Sequence, residues 1–234
     1  MDLIIGWMAL GRVIVPELLD RAGPEETRLN LDDLIRINRM FGGYRILRPL
    51  IGQFVKPEDS FTLLDVGAAS GDMGREIHKA FPGGHVVSLD RRFPNLSFAP
   101  APKLAADAFR LPFADGSFDF VFSSLFLHHF EDEDAVRLLA GFASVARRAV
   151  LAIDLERSAI SSRFLPATRW LFRWNRITLH DGPVSVRAAF RARELLSLAH
   201  RAGLVEARVR SHAPWFRVSL TAPVTAVSAV QVSS

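Results

Sequence analysis

The chain has 234 residues, enough for one α/β domain with a small addition and a substantial core. Hydrophobic residues make up 49% and charged residues 23%, which excludes a disordered chain, and the lack of cysteine excludes disulfides, thiolate metal sites and cysteine nucleophiles. The net charge of +4 rests almost wholly on arginine, with lysine only at Lys56, Lys79 and Lys103. No arginine cluster interleaves with aromatics along a strand, so no nucleic-acid partner is expected. The histidines are dispersed without metal-ligand spacing, and no metal is expected.

The stretch up to Val15 is mostly apolar, interrupted by Asp2 and Arg12. It lacks the positive region and cleavage site of a signal peptide and is too short and too charged to span a bilayer, so a cytoplasmic chain without stable membrane insertion is expected. It reads either as a helix packed on the domain, or as a lid over an apolar substrate or a membrane-surface contact. Asn30 with Asp33 three residues on reads as a helix N-cap. Leu31, Leu34, Ile35, Met40, Phe41, Tyr44, Leu47, Leu50, Ile51 and Phe54 carry an amphipathic helical pattern to Val55. Gly42-Gly43 interrupts it, where it either kinks or allows close approach of a ligand, and Pro49 kinks or splits it again. Residues 56–60 read as a linker. The predicted organisation is a helical cap over 1–55, a main domain over 56–221 with an insertion at 156–185, and a flexible tail over 222–234.

From Phe61 the chain alternates strands and helices, which predicts a mostly parallel sheet with right-handed crossovers. Phe61–Val66 is an apolar strand, followed by the small-residue turn Gly67-Ala68-Ala69-Ser70-Gly71 and a helix over Asp72–Phe81 with Met73, Ile77 and Phe81 on one stripe. His85–Leu89 is the second strand and Lys103–Ala106 a weak third. Arg91–Pro102 between them holds three prolines and predicts an irregular crossover. Phe118–Ser123 is the fourth strand, Glu131–Ala146 a helix, and Ala149–Asp154 the fifth strand. The insertion carries Trp170, Phe172 and Trp174, which either wall an apolar substrate or pack the cap. Arg191–Ala202 is a helix with Gly203 as its C-cap. Val205–Arg210 and Trp215–Thr221 alternate and join through residues 211–214 as a hairpin.

Ligands of open α/β sheets bind outside the carboxyl ends of the strands, and Asp65, Asp90, Asp107 and Asp154 stand there. A strand, a glycine turn and a helix N-terminus form a nucleotide-site geometry. An acid just before the first glycine repels a pyrophosphate but suits a ligand carrying positive charge, and S-adenosylmethionine has an ammonium and a sulfonium. Asp90, about 20 residues beyond the turn, is placed to accept two ribose hydroxyls. Asp107 is placed to accept from an adenine amino group, with the Ala108 backbone at the ring edge.

The passages Leu64–Gly71, Asp90, Asp107–Asp119 (with Leu111-Pro112-Phe113-Ala114-Asp115-Gly116-Ser117-Phe118-Asp119) and Leu127-His128-His129-Phe130 resemble a class I S-adenosylmethionine-dependent methyltransferase of the small-molecule type. The resemblance implies a Rossmann-like three-layer sandwich with a seven-stranded, mostly parallel sheet and an antiparallel last strand, plus the helical cap. It implies that Asp65, Gly67, Ala68 and Gly71 line the methionine part of S-adenosylmethionine, with S-adenosylhomocysteine as product. It implies that Asp90 with Arg91 holds the ribose, Asp107 with Ala108 the adenine, and that Ser123 or Ser124 lies near the methionine amine. Two departures stand out: the family's middle glycine is Ala69 here, and the helix after the acid at position 90 is missing.

If the acceptor is a phenol or an enol carbon, a base removes its proton, and His128 and His129 follow the fourth strand on the ligand side. One of them is expected to face the pocket; both capping the next helix is the competing reading. His180-Asp181, read as an exposed loop pair, is a further candidate. The expected function is methyl transfer to oxygen or carbon of an apolar aromatic, quinone or polyketide-like small molecule, by a monomer or homodimer. Two alternatives remain: an S-adenosylmethionine-binding partner subunit without transfer activity, and an NAD(P)-dependent oxidoreductase. Against the oxidoreductase stand the spacing Gly67-x-x-x-Gly71-x-x-Gly74 and Tyr44, the single tyrosine, which is followed four residues on by Arg48 and not lysine.

Overall fold

Phe61–Val66 (β1) forms the middle of the sheet because five of its six residues are buried and find cover on both faces. The computed structural model describes residues 11–158 and 160–224. The other strands are Gly84–Asp90 (β2), Lys103–Ala105 (β3), Phe118–Ser124 (β4), Ala146–Leu155 (β5), Arg208–His212 (β6) and Arg217–Pro223 (β7). They lie in the order β3-β2-β1-β4-β5-β7-β6. β1, β2, β3, β4 and β5 run parallel to one another, and β7 runs antiparallel to both β5 and β6. The helices are Pro24–Met40 (α1), Gly43–Ile51 (α2), Asp72–Ala80 (α3), Asp132–Val145 (α4), Ser161–Phe172 (α5), Arg176–Ala188 (α6) and Ala192–Arg201 (α7).

Alternation along the strands divides the core into two layers of contact. Ile46, Leu50, Met73 and Ile77 from α2 and α3 pack on Leu63, Phe120 and Leu151. On the opposite face Leu138, Phe142, Leu195 and Leu198 from α4 and α7 pack on Leu64, Val121 and Val150. The three-layer sandwich, the seven strands and the antiparallel last strand are as the sequence implied. The α2 segment, on the N-terminal side of the 56–60 linker, shares its core with β1 and α3.

The helical boundaries differ from the sequence reading in instructive ways. α1 begins at Pro24, not at Asn30. Proline at the first helical position and Glu26, which accepts from the Gly23 N–H at 3.3 Å, start the helix earlier. Asn30 and Asp33 are buried cross-links instead: Asn30 Nδ2 donates to Thr178 Oγ1 at 3.2 Å, and Asp33 Oδ2 accepts from the Asn175 N–H at 2.7 Å. The helix breaks at Gly42, whose φ of +81° suits glycine and whose missing Cβ leaves room for the Trp215 ring. The close approach at Gly42 is therefore made by the protein itself. Pro49 does not split α2, which runs two residues beyond it to Ile51.

The crossover over 91–102 is irregular as predicted, with one 3-10 turn at Asn95–Phe98. The insertion forms α5 and α6, and α6 continues to Ala188. The hairpin is shifted: β6 starts at Arg208 and β7 at Arg217, because β7 pairs in full with β5 from Leu155↔Arg217 to Ala149↔Pro223. Ala222 and Pro223, assigned to the tail, belong to that strand. The helix or lid expected over the first fifteen residues falls largely on residues 1–10, outside the described residues, as does the tail beyond 224. Residues 11–17 have no regular structure, and the Val13 N–H donates to the Arg187 carbonyl at 3.3 Å. Among the described residues no helix is long and apolar enough to cross a membrane.

Candidate active site

The turn after β1 uses left-handed backbone three times, at Gly67 (φ +73°), Ala69 (φ +46°) and Gly71 (φ +67°). Glycine takes this conformation freely; Ala69 holds it against its own Cβ. The turn is packed closely by the chain itself, since a Cβ on Gly67 would meet the Phe126 ring and one on Gly71 would meet Ala99. Asp72, at the start of α3, ties the cap to this turn. It accepts from Ser70 Oγ at 3.1 Å, Asn38 Nδ2 at 3.0 Å and Tyr44 Oη at 3.0 Å.

The strand-end acids differ in environment. Asp65 is buried and its Oδ2 has no hydrogen-bond partner among the described residues. Burial raises its pKa well above the carboxylate range, and the charges of Asp72 and Asp90 add to the shift. A buried carboxyl with one unpartnered oxygen and two acids nearby fits a cationic group such as a methionine ammonium. Asp90 accepts from the Ala69 N–H at 3.1 Å, the Arg92 N–H at 2.9 Å and Asn95 Nδ2 at 3.3 Å. Burial outweighs those bonds and raises its pKa. Asp107 is exposed and accepts from the Phe109 N–H at 3.0 Å; Ala108 is half-buried beside it. Arg91 points to solvent, while the adjacent Arg92 turns inward and donates from Nη1 to the Leu19 carbonyl at 2.8 Å. Ser123 is buried, and Ser124 is half-buried with its Oγ unpartnered among the described residues.

Beyond the end of β4 the 3-10 turn Leu127–His129 carries the histidine pair. His128 is 3% exposed, and its Nδ1 donates to Asp154 Oδ1 at 2.6 Å. The other oxygen, Oδ2, accepts from the His128 N–H at 3.2 Å, and the Leu155 N–H donates to Oδ1 at 2.7 Å. Burial pushes the imidazole down, but the charge and hydrogen bond of Asp154, with Glu17 behind, outweigh it and raise the His128 pKa. Burial likewise pushes Asp154 up, but the His128 charge and hydrogen bond, with the Leu155 N–H, hold it below the ordinary range. Asp154 was legible as a strand-end acid; its pairing with His128 was not, because 26 residues of helix and strand separate the two.

Both histidines line a cavity of about 140 Å³ under the cap, walled by Leu34, Ile37, Phe41, Leu125, Leu155 and Phe216 among others. The expectation that one histidine faces the pocket is corrected: both do. His129 is partly exposed, with Nδ1 3.9 Å from Glu17 Oε1, and Glu17 also accepts from Ser185 Oγ. The donor atoms of Glu17, His128 and His129 all lie within 4.8 Å of one another. The imidazoles stack with centroids 4.2 Å apart and planes at 30°, and Nδ1 of His128 is committed to Asp154.

His180 lies on α6, not in a loop, is exposed, and does not line the cavity. Its partner Asp181 does line it, and accepts from the Leu18 and Leu19 N–H groups. Phe172 and Trp174 pack on Phe41, with the Arg36 guanidinium over Trp174, and Trp170 is 82% exposed. Trp170, Phe172 and Trp174 do not line the cavity. None of the ten residues expected at the cofactor lines it either.

Two arginines escaped the sequence reading. Arg12, read as an interruption, lies 3.6 Å over the Phe190 ring and donates to Asp132 and to the carbonyls of His128, Phe130 and Ala188. Arg217, the first residue of β7, is 1% exposed and lines the cavity. Its pKa is pushed down to about 10 by burial, against the charges of Asp154 and Asp72. A lone arginine opening an apolar strand was the one available signal.

Residues 64–157 match the family model described as a methyltransferase domain. The chain carries a class I, S-adenosylmethionine-dependent methyltransferase domain. Over 93 residues it is 37% identical to malonyl-[acyl-carrier protein] O-methyltransferase of Xylella fastidiosa (strain M23), a match that covers 36% of this chain and 31% of that protein. The chain thus matches about a third of the length of this curated relative. The fold is similar to human N-acetylserotonin methyltransferase in complex with S-adenosylmethionine (TM-score 0.62, 14% identity, covering 95% of this chain and 65% of that one). It is also similar to a methyltransferase from Aquifex aeolicus (TM-score 0.56, 17% identity, covering 81% and 97%).

Two outcomes test this geometry. Ala69→Gly relieves a left-handed alanine, so melting should be unchanged or rise by about 2–4 °C, the shift of ~1 kcal/mol in a chain of this size. A clear fall in Tm would show that Ala69 is not strained. Asp65→Asn removes a carboxyl that the fold prefers protonated. The unfolded chain ionises Asp65 from about pH 4 upward. The native cost therefore grows from there and levels off above the raised folded pKa. The Asp65→Asn protein should melt higher than the parent, by more at pH 8 than at pH 5; the reverse trend would mean that Asp65 is held as a stabilising anion.

Proposed function

We propose that this chain transfers a methyl group from S-adenosylmethionine to an oxygen or carbon atom of an apolar small molecule held in the cavity under the cap. The observation that carries the reading is the buried His128–Asp154 pair, which borders an apolar cavity at the same strand ends as the acids Asp65 and Asp90. The cofactor supplies, when bound, a methyl group on sulfur that needs no further activation. Asp65 would meet the ammonium, Asp90 the ribose hydroxyls, and the loop at Asp107-Ala108 the adenine edge.

The chain's own work is then positioning and proton removal. Asp154 fixes the tautomer by accepting the hydrogen bond from Nδ1–H, which leaves Nε2 of His128 as the nitrogen for the acceptor. The same carboxylate stabilises the imidazolium formed when that nitrogen accepts a proton. Leu34, Ile37, Phe41 and Leu155 exclude water from the acceptor. Malonyl-[acyl-carrier protein] O-methyltransferase and N-acetylserotonin methyltransferase act, by their names, on quite different acceptors. The acceptor of this chain is therefore sought from its cavity.

Titration calorimetry should show S-adenosylmethionine and S-adenosylhomocysteine binding in the micromolar range and no binding of NAD. Asp90→Ala should weaken the sulfur cofactors by about 1–3 kcal/mol. Tight NAD binding would overturn the reading. In a release assay for S-adenosylhomocysteine over phenols, enols and carboxylic acids, His128→Ala should lower the rate roughly 10²–10⁴-fold on any phenol or enol accepted. A neutral His128 is the active base, so that rate should rise with pH through a pKa above the usual histidine value. Asp154→Asn removes the charge that holds this pKa up and should move the limb to lower pH. NMR titration of the His128 ring should shift the same way, and an unmoved ring would separate Asp154 from the base.

A further inference from the structure

We propose that Arg217 anchors a carboxylate on the methyl acceptor, so that the cavity takes an apolar acid and not a neutral molecule. The inference rests on the methyl-transfer reading of this cavity. Its root is topological. β7 runs antiparallel to the strands beside it, so its first residue lies where the parallel strands end, and Arg217 pairs with Leu155 at the ligand edge. An arginine there is delivered to the cavity wall by the reversal of a single strand.

The guanidinium is buried with part of its donor capacity unmet. Nη2 donates to Asn38 Oδ1 at 3.1 Å, while Nη1 has no hydrogen-bond partner among the described residues. Among them, no carboxylate lies within ion-pair distance of Arg217. The nearby acids are engaged elsewhere: Asp72 with Ser70, Asn38 and Tyr44, and Asp154 with His128. Within the cavity wall, Glu17 accepts from Ser185, and Asp181 accepts from the Leu18 and Leu19 N–H groups. Arg217 is the single Lys or Arg among the described residues lining the cavity. A buried cation with an idle N–H face is costly, and a ligand that leaves it idle inherits the cost. A carboxylate meets it, because a planar pair of anionic oxygens matches the guanidinium fork. Asn38 holds the fork through a neutral amide, which fixes its direction without neutralising it.

The cofactor also has a carboxylate, and the test separates the two sources. Full-length protein is titrated with 2-naphthoate and decanoate and with their primary amides, each with and without S-adenosylhomocysteine. The native protein should prefer the acids at least about tenfold, the effect expected of one charge-assisted bidentate contact. Arg217→Met should reduce that preference to less than about threefold and leave S-adenosylhomocysteine affinity nearly unchanged, and Arg217→Lys should keep part of it, as a point charge without the fork does. Equal binding of acids and amides to the native protein, or undetectable binding of the acids, overturns the proposal. So does a preference that survives Arg217→Met. A loss of S-adenosylhomocysteine affinity in that variant with the acid preference intact would assign the guanidinium to the cofactor's carboxylate instead. If Arg217→Met does not fold, the native comparison with Arg217→Lys decides. Absence of S-adenosylhomocysteine binding to the native protein would strike the methyl-transfer reading, while the acid preference without cofactor still reports on Arg217.

Discussion

The arrangement at the ligand edge depends on one buried contact, the 2.6 Å hydrogen bond between His128 and Asp154. Burial disfavours the charged form of each partner, and the charge and hydrogen bond of the other favour it, raising the His128 pKa and lowering that of Asp154. The pair joins the ends of two successive parallel strands, with α4 between them in sequence: His128 stands after β4 and Asp154 near the end of β5. Its geometry is fixed on three sides by backbone, through the N–H groups of His128 and Leu155 on the carboxylate and through Arg12 on the carbonyl of His128. Arg12 also reaches Asp132 at the start of α4 and the Ala188 carbonyl at the end of α6. One guanidinium thereby locks the N-terminal segment, the histidine turn and the insertion around the cavity.

Legibility in the sequence followed the range of the interactions involved. The strands, the acids at their ends and the missing helix after Asp90 were readable because periodicity, turn chemistry and proline content act over a few residues. Where tertiary contacts set the outcome, the reading slipped. Asn30 and Asp33 look like caps, yet they are spent on Thr178 and Asn175, far along the chain. Trp170, Phe172 and Trp174 leave a substrate wall and plain packing both open, and contacts decide it: Phe172 and Trp174 pack on Phe41 while Trp170 faces solvent. The start of β7 moved to Arg217 because pairing with β5 extends to Leu155. That register carries Arg217 into the cavity wall, and no local pattern announces it.

The charges around the cofactor edge and the cavity are set in opposite senses. Asp65, Asp72 and Asp90 crowd acids around a tight turn, and burial, with the charges of its two neighbours, makes Asp65 favour its proton. A cation arriving there would exchange mutual repulsion for attraction, and if Asp65 meets the ammonium as proposed, cofactor binding and proton release from Asp65 would be linked. Arg217 faces the complementary problem of a cation without an anion in contact. The two imbalances meet through Asn38, which donates to Asp72 from Nδ2 and accepts from Arg217 through Oδ1. A neutral amide between a buried acid and a buried guanidinium keeps them from neutralising each other. If they paired directly, Asp72 would no longer gather Ser70, Asn38 and Tyr44 at the turn, and Arg217 would already hold an anion of its own. The residue that prevents this comes from α1, so the cap contributes to the electrostatics of the site as well as to its apolar wall.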